Sequence, residues 1–375
     1  MSVIKNSNYG WFISHETLIN EIYSSVDSSA TSFQLKPDLF EIVQPYKPAK
    51  SKHNLKRKTN EEDFGAEVRC VEKLYELFRN ENEEIFAESQ LEVRNDAAVT
   101  AAATIYDESG KNLIGDVVGA NPDGPIVKRI KNSDFLFPQN CKFYGKDVAD
   151  MSTHLDEKYD LIVLDPPWWN KYIRRKRKHT EHGYDMMYNE ELRNLPLENY
   201  LSKEGLVAVW CTNSGQHVRT LCDEIFPKWG LEYVGKWYWV KVTKSGVPVC
   251  PFSEPPRKQP FEQIIFGRVQ SRSLADPACD KLVVSVPSAL HSHKPPLIRL
   301  LERFLPNSPT CLEIFARYLL PNWTSYGKEV LRFQHESLYE KLNRECFDFH
   351  SNSRSANSAL AYITEMSPSR LSTIL

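Results

Sequence analysis

From about residue 141 to residue 333, short apolar segments of strand length alternate with segments of helical periodicity. This alternation is typical of βαβ units and of a mostly parallel sheet, and it predicts an α/β fold. Residues 161–164 (LIVL) are apolar at every position, as expected for a strand that is buried on both faces. The predicted strands are residues 142–144, 159–164, 206–210, 231–242, 261–266, 282–286, 310–315 and 329–333.

Two amphipathic helices are predicted between these strands. One begins after Thr212 or Ser214 as the N-cap, and the other follows Pro295 and Pro296, whose fixed φ suits the first turn of a helix. Their apolar faces consist of Val218, Leu221, Cys222 and Ile225 in the first helix, and of Leu297, Leu300, Leu301 and Phe304 in the second.

The N-terminal third of the chain follows a different pattern. Over residues 61–79 the apolar positions recur at intervals of three and four, which predicts an amphipathic helix. Residues 97–105 form a second apolar segment, and residues 110–125 are rich in turn formers. We therefore predict an N-terminal segment at 1–46, a smaller, mainly helical unit at 61–135, and the α/β domain at 136–347.

Two stretches lack the apolar positions of a folded core. Residues 47–60 are polar and basic, with Lys56, Arg57 and Lys58 adjacent, and are predicted to be a solvated linker. A nuclear import signal and a plain charged linker fit this composition equally well. Residues 348–375 are rich in serine and poor in aromatic residues, so we predict a mostly disordered tail.

Composition limits the classes of protein to which this chain can belong. With 375 residues, 41% of them hydrophobic, the chain can build one large or two modest domains. A formal net charge of −2 means that nucleic-acid contacts would have to come from local basic patches. The 8 cysteines form no CxxC pair, which argues against structural zinc and against a secreted disulfide framework. No signal-peptide core and no apolar run of the ~18 residues that a membrane span needs is visible, so we expect a soluble intracellular protein.

The most informative feature is the tetrapeptide Asp165-Pro166-Pro167-Trp168, which follows the predicted strand 159–164. Open α/β sheets place their functional groups at the carboxyl ends of strands. The prolines stiffen the backbone, and their carbonyls are predicted to stay free as acceptors beside the Asp165 carboxylate. Trp168 adds a flat face for stacking. This set suits an exocyclic amine on a planar ring. The alternative is a proline-rich turn with a packed aromatic residue.

A second strand and turn, residues 311–317, has the form of a nucleotide-binding strand in a doubly wound sheet. Ala316 stands where a glycine usually allows a ligand to approach the backbone, so this element alone is a weak signal. Together the two strands predict a catalytic motif first and a cofactor strand later along the chain.

A basic run at residues 171–178 directly follows the tetrapeptide and holds six lysines and arginines. Its position at the end of the strand favours phosphate binding, which would make affinity for nucleic acid depend on salt. A solvated charge run is the alternative. The candidate phosphate-binding residues are Arg174, Arg175, Lys176 and Arg177.

Two histidine pairs have the spacing of metal ligands, His179 with His182 and His291 with His293. Neither has a thiolate or carboxylate arrangement nearby that would complete a site, so no metal is predicted.

The order of these motifs resembles that of a known family, the eukaryotic adenine-N6 methyltransferases with a DPPW motif, and within it the methyltransferase-like 4 branch. The resemblance covers residues 141–332. It implies S-adenosylmethionine as the methyl donor and a Rossmann-like methyltransferase fold with permuted motif order, preceded here by the smaller, mainly helical region. The matching stretches are residues 146–148, 165–168, 183–192, 209–213, 239–241, 257–262, 292–295, 313–317 and 321–323, with Gly327.

The resemblance also implies roles for individual residues. The catalytic set would be Asp165, Pro166, Pro167 and Trp168. The cofactor-binding set would be Asp147 and Val148 at the adenine, Lys294 at the carboxylate, Arg317, Lys328 and Glu329 at the ribose, and Asp165. Tyr184, Trp210 and Trp239 would stack on or enclose a flipped base, or else pack in the core.

Two departures from the family pattern concern the ribose. Relatives often carry His-Asn after the arginine and Asn-Gln after the later glycine, whereas this chain has Tyr318 and a shorter connection, followed by Lys328 and Glu329. These two differences fall beside Arg317 and at Lys328 and Glu329, the residues to which the resemblance assigns the ribose contacts.

The function that follows is N6-methylation of adenosine in RNA. The resemblance suggests small nuclear RNA, including 2′-O-methylated adenosine, as the substrate class. DNA adenine is the nearest alternative, because both nucleic acids present the same amine and only contacts to the 2′ position distinguish them. A noncatalytic nucleic-acid-binding subunit is the other alternative, although Asp165 and Trp168 are both present. We expect a nuclear protein, with the cytoplasm as a second location, that acts without an obligate partner subunit.

Overall fold

The α/β architecture is built on one mixed, largely parallel sheet. A computed structural model of the chain describes residues 2–26, 31–46, 62–86, 94–111, 115–169, 186–253, 257–270 and 273–343. These residues belong to one compact unit that ends at Asn343. Within the described residues the strands are β1 (Val3–Asn6), β2 (Gly10–Ile13), β3 (Thr31–Leu35), β4 (Val118–Asn121), β5 (Ile126–Ile130), β6 (Ser133–Phe137), β7 (Cys141–Tyr144), β8 (Tyr159–Leu164), β9 (Leu201–Cys211), β10 (Leu231–Lys241), β11 (Phe261–Val269), β12 (Lys281–Ser285), β13 (Cys311–Ile314), β14 (Trp323–Tyr326) and β15 (Tyr339–Asn343).

Eleven of these strands form the main sheet, in the order β1-β2-β12-β10-β11-β9-β8-β13-β14-β7-β4. The central run from β9 through β8, β13 and β14 to β7 is parallel throughout. Antiparallel pairs join β10 to β11, β11 to β9 and β4 to β7. The strands β15 with β3, and β5 with β6, form two small separate sheets. The parallel centre brings the carboxyl ends of β7, β14, β13 and β8 to one edge.

The helices cover the sheet. Within the described residues they are α1 (His15–Ile22), α2 (Glu62–Glu81), α3 (Asp96–Lys111), α4 (Asn189–Arg193), α5 (Gly215–Thr220), α6 (Phe226–Lys228) and α7 (Ile298–Leu301). A π-helical turn at Leu221–Ile225 joins α5 to α6. None of the described helices combines the length and the apolar character that crossing a bilayer requires.

Both faces of the sheet are buried, as the sequence of β8 predicted. Leu161 and Val163 lie in one apolar cluster, whereas Ile162 and Leu164 lie in the cluster on the opposite face. Side chains alternate between the faces of a strand, so helices and loops must cover both sides. Each fully buried aliphatic side chain of this kind contributes about 1.5–3 kcal/mol.

The N-terminal region holds the two longest described helices and also extends the main sheet. The predicted helix at 61–79 is confirmed by α2, whose residues Val71 and Phe78 pack against Tyr238 and Leu282 of the sheet. The strand β2 pairs in parallel with β12, and β4 pairs with β7 at the opposite end of the sheet. The domain boundaries stay predictions. The linker at 47–60 and the tail at 348–375 lie outside the described residues.

Most predicted strands and helix starts are confirmed, including Ser214 as the N-cap of α5. The strand predicted at 329–333 is wrong. The structure has turns there, and the last parallel strand of the main sheet is Trp323–Tyr326. This strand contains the buried polar residues Thr324 and Ser325, so it lacks an apolar run. The apolar side chain of Val330 packs in the core, but it does so from a turn and not from a strand.

Candidate active site

The two motifs singled out in the sequence meet on adjacent strands. Strand β8 pairs with β13, and Leu164 lies opposite Ile314. Asp165 therefore leaves β8 next to the point where Phe315 leaves β13, and the Asp165 N–H donates to the Ile314 carbonyl at 3.4 Å. The strand of the tetrapeptide and the strand singled out for a nucleotide are therefore neighbours in the sheet.

The proline carbonyls are only partly free. The Trp168 N–H donates to the Pro166 carbonyl at 2.8 Å, and the Met187 N–H donates to the Pro167 carbonyl at 2.9 Å. The prediction that both carbonyls stay free is wrong, because the chain returning at Met187 and the tight turn each use one of them. A carbonyl oxygen has two lone pairs, so each keeps one acceptor position.

Trp168 anchors the tetrapeptide rather than presenting an open ring. Its side chain is buried at 6% exposure, and its indole N–H donates to the Trp210 carbonyl at 2.8 Å. His217 lies against the ring, with centroids 5.0 Å apart. The predicted open stacking face is therefore wrong for this structure. The wider assignment of Trp168 to the catalytic set stays a prediction.

Two cations hold the Asp165 carboxylate. The Arg317 guanidinium donates to Oδ2 at 2.6 Å, and the Lys294 ammonium lies 3.5 Å from Oδ1. The three side chains are largely buried, with 13% exposure for Asp165 and 7% for Arg317. Such a pair is costly to break, because removing one partner leaves an uncompensated charge. The carboxylate thus has a fixed orientation.

Glu262 extends this network, and the sequence reasoning missed it. Its carboxylate forms ion pairs with Lys294 and with Lys241, which come from separate parts of the chain. Burial would raise the pKa of Glu262, but the two lysines hold it well below its usual range. Burial would lower the pKa of Lys294, and the Asp165 and Glu262 carboxylates raise it. Both groups are therefore charged at neutral pH.

On the other side, Glu329 links Arg317 to Arg332. The Arg317 Nε donates to Glu329 Oε2 at 3.2 Å, and Arg332 Nη1 donates to Oε1 at 2.6 Å. The predicted cofactor residues Arg317, Lys294 and Glu329 are therefore brought together around Asp165.

Glu313 is a second residue that the sequence reasoning did not assign. It stands on β13 opposite Val163 and Ser325, and is buried at 6% exposure. Among the described residues its Oε2 has no hydrogen-bond partner. Burial, with a further contribution from the Asp165 charge, raises the pKa of Glu313 to about 8, so it carries a proton at neutral pH. The available signal was a single acidic residue in the otherwise apolar segment 311–315.

The remaining predicted cofactor residues border a cavity of about 510 Å³ beyond the end of β7. Asp147 lines it, accepts the Ala149 N–H at 3.0 Å and pairs with Lys328 at 2.5 Å. Val148 is buried in the core beneath. The full lining is Gly115, Asp116, Gly145, Lys146, Asp147, Asp150, Thr153, His154 and Lys328.

Ala316 is not the point of ligand approach that the sequence suggested. It is buried, and its N–H donates to the Tyr326 carbonyl at 3.0 Å. A Cβ at Gly327 would lie 3.0 Å from the Ala316 nitrogen, so the absence of a side chain at Gly327 is what lets these two backbone segments approach. Phe315, at φ 63°, makes the turn instead.

Trp210 and Trp239 pack behind Lys294. Both are buried, and their rings meet edge to face at 5.4 Å. The Lys294 ammonium lies 5.2 Å from the Trp210 ring centroid, and the Trp239 indole donates to Ser285 at 2.8 Å. The core-packing alternative describes them in this structure, and their contact with a substrate stays a prediction.

Several predicted residues fall in the undescribed segment 170–185. They are Arg174, Arg175, Lys176, Arg177 and Tyr184, together with the pair His179 and His182. Among the described residues, no group of three or more histidine, cysteine or acidic side chains could hold a metal ion. His293 packs on His15, with ring centroids 4.1 Å apart.

Comparison with known proteins places this site in a family. The sequence profile of the MT-A70 family matches residues 159–329. A Mus musculus protein named N(6)-adenine-specific methyltransferase METTL4 is 36% identical over 63% of this chain and 51% of its own length. A Caenorhabditis elegans protein named DNA N6-methyl methyltransferase is 32% identical over 74% of this chain and 78% of its own length. A Cryphonectria parasitica protein named N6-methyladenosine RNA methyltransferase MTA1 is 43% identical over 47% of this chain and 53% of its own length.

The chain spans about half the length of the mouse and human relatives that it matches. The matched residues include β8, the tetrapeptide, β13 and Arg317. The chain belongs to the MT-A70 family, in the branch of its METTL4 relatives.

Proposed function

We propose that this protein transfers the methyl group of S-adenosylmethionine to N6 of adenosine in RNA. The observation that carries the proposal is the Asp165 carboxylate, which Arg317 and Lys294 orient at the end of β8 beside the Pro166 carbonyl. The mouse, nematode and Cryphonectria parasitica relatives described above all carry names that describe N6-adenine or N6-methyl chemistry.

The site fits this cofactor in size and donor set. The cavity at Asp147 and Lys328 has the volume of a small-molecule pocket and offers both charges to a nucleoside. The Lys294 ammonium has three donors, two of which face Glu262 and Asp165, so one remains for a carboxylate. When bound, S-adenosylmethionine supplies an electrophilic methyl group on its sulfonium.

The protein's own task is to prepare the adenine amine. The N6 lone pair is delocalised into the ring, which makes this nitrogen a poor nucleophile. If the Asp165 carboxylate accepts one N6 proton and the remaining lone pair of the Pro166 carbonyl accepts the other, the nitrogen becomes pyramidal. Positioning of this kind can supply most of the rate enhancement, because effective molarities reach about 10⁵ M or more. Asp165 then receives the proton that the methylated nitrogen loses.

RNA is the substrate class that we propose, with small nuclear RNA and 2′-O-methylated adenosine as its specific form. Two fungal relatives, from Cryphonectria parasitica and Pyricularia oryzae, are named N6-methyladenosine RNA methyltransferase MTA1, and the first is 43% identical in the matched region. The basic run at 171–178 supplies charge for a phosphate backbone in the sequence that follows the tetrapeptide. We also propose a nuclear protein, present in the cytoplasm as well, that acts without an obligate partner subunit.

DNA is the second candidate, on the strength of one specific observation. The nematode relative aligned over 74% of this chain is named as a DNA methyltransferase. The described site presents the same amine acceptors to either nucleic acid.

The test is mass spectrometry of nucleosides from RNA and DNA incubated with purified protein and isotopically labelled methyl donor. We expect labelled N6-methyladenosine from RNA, and more from RNA with a 2′-O-methylated target. Label only in deoxyadenosine would overturn the RNA assignment. Asp165→Asn should lower the rate by about 10²-fold or more. Asp223→Asn, at an exposed carboxylate beyond α5, is the matched control.

A further inference from the structure

A stacked aromatic pair, the half-buried Trp169 and the exposed Tyr188, stands next to the catalytic tetrapeptide and has no role in the chemistry described so far. The rings of Trp169 and Tyr188 are stacked, with centroids 6.1 Å apart and planes inclined by 21°. Tyr188 is 59% exposed, one of the most exposed large aromatic side chains among the described residues. With its centroid 6.1 Å away, the Trp169 ring is offset from the Tyr188 ring, so it supports this side chain and leaves much of its surface exposed.

The pair is held firmly at its base. The Trp169 N–H donates to the Met187 carbonyl at 3.1 Å, and the Met187 N–H donates to the Pro167 carbonyl at 2.9 Å. The Tyr188 N–H donates to Glu191 Oε2 at 2.6 Å, which fixes Tyr188 at the start of α4. The orientation of Tyr188 is thereby tied to the tetrapeptide itself.

A second tie runs through His217 on α5. Its Nε2 lies 3.2 Å from the Trp169 carbonyl oxygen, and its Nδ1 lies 2.8 Å from Asn189 Oδ1. Burial lowers the pKa of His217, so the imidazole is neutral at pH 7 and adds no charge beneath the rings. The pair is therefore uncharged, flat and braced from two elements.

Its distance from the reacting centre suits a neighbouring nucleotide. Trp169 follows Asp165 by four residues, so the two Cα atoms are at most about 14 Å apart. That upper limit keeps a base stacked on Tyr188 within reach of the RNA strand that carries the target adenosine. Stacking on an aromatic ring is sequence-tolerant, since every base has a π-face.

We propose that Tyr188, backed by Trp169, is a stacking platform for the base that neighbours the target adenosine in the RNA strand. The proposal rests on the proposed function for the identity of the target. It adds a subsite that contributes to substrate affinity and leaves cofactor binding unchanged. A ring without a hydroxyl would serve equally well.

The test detects base stacking directly and does not require methyl transfer. Single-stranded RNA oligonucleotides carry one adenosine and place 2-aminopurine, whose fluorescence falls on stacking, at each flanking position in turn. For the wild-type protein and Tyr188→Phe we expect quenching at one flanking position. For Tyr188→Ala we expect no quenching there and an affinity lowered by about tenfold. Tyr233→Ala, at another exposed tyrosine near the start of β10, is the control.

The outcomes separate the subsite from the activity. Equal quenching in the wild-type protein and Tyr188→Ala would overturn the platform even if RNA is methylated. Position-specific quenching that Tyr188→Ala abolishes would support it even if the nucleoside assay showed no product, in which case the proposed function alone would fail. Donor binding by calorimetry should be the same in all four proteins.

Discussion

The guanidinium of Arg317 lies 2.6 Å from the carboxylate of Asp165, although 152 residues separate them in the chain. The pairing of β8 with β13 brings them together. Replacing Arg317 with Ala should leave Asp165 with Lys294 as its remaining cation and should free a carboxylate oxygen of Glu329. We expect a loss of about 3–5 kcal/mol in the free energy of unfolding, measured with denaturant.

Arg299→Ala is the matched control for that substitution. Arg299 pairs with Glu302 at 3.1 Å, but both side chains are more than half exposed. An exposed pair contributes about 0–1 kcal/mol. If the two variants lose equal stability, the buried network does not stabilise the fold as described.

Glu313 should give the stability a distinct pH dependence. The folded protein keeps a proton on this group up to about pH 8, whereas the unfolded chain releases it near the ordinary value of 4.5. The folded state therefore binds more protons between these values, and its stability falls as pH rises through that window. In Glu313→Gln this contribution is absent. We expect the stability of the variant relative to wild type to rise from pH 5 to pH 8, and a difference that stays constant would contradict the assignment.

The buried pair His15 and His293 should act in the opposite direction. Burial lowers the pKa of His15 to about 3 and that of His293 well below 6.5. Below pH 6.5 the unfolded chain binds protons that the folded protein does not, so the folded state loses stability as the solution becomes acidic. In His15→Leu the drop in melting temperature between pH 7.5 and pH 5.5 should be smaller than in wild type. An unchanged drop would refute this account.

Gly10 should tolerate no side chain. It has φ +150°, and a Cβ there would lie 1.9 Å from the Leu282 carbonyl oxygen, at the junction of β2 and β12. Gly10→Ala must shift one strand. We therefore expect the free energy of unfolding, measured by thermal denaturation, to fall by about 1–3 kcal/mol or more. Gly124→Ala, where a Cβ meets nothing within 4 Å, should be close to neutral.

Local patterns predicted the strand and turn of the candidate site, because an apolar run followed by Asp165 and two prolines is a short-range signal. The neighbours of Asp165 were harder to derive. Arg317 and Lys294 were assigned through family resemblance, whereas Glu262 and Glu313 were missed. Their contacts depend on how distant strands pair, which spacing does not encode. Strand Trp323–Tyr326 was missed because its buried face includes polar residues.

The position of β13 in the sheet also constrains how the chain can be made. Cys311 pairs with Leu161 on one side and with Trp323 on the other, so the two late strands β13 and β14 fill the gap between the earlier strands β8 and β7. During synthesis one edge of β8 has no partner strand until the C-terminal third of the chain has left the ribosome. Such edges invite association with other chains. Truncation before β13 would therefore yield an aggregating fragment rather than a folded but less stable protein.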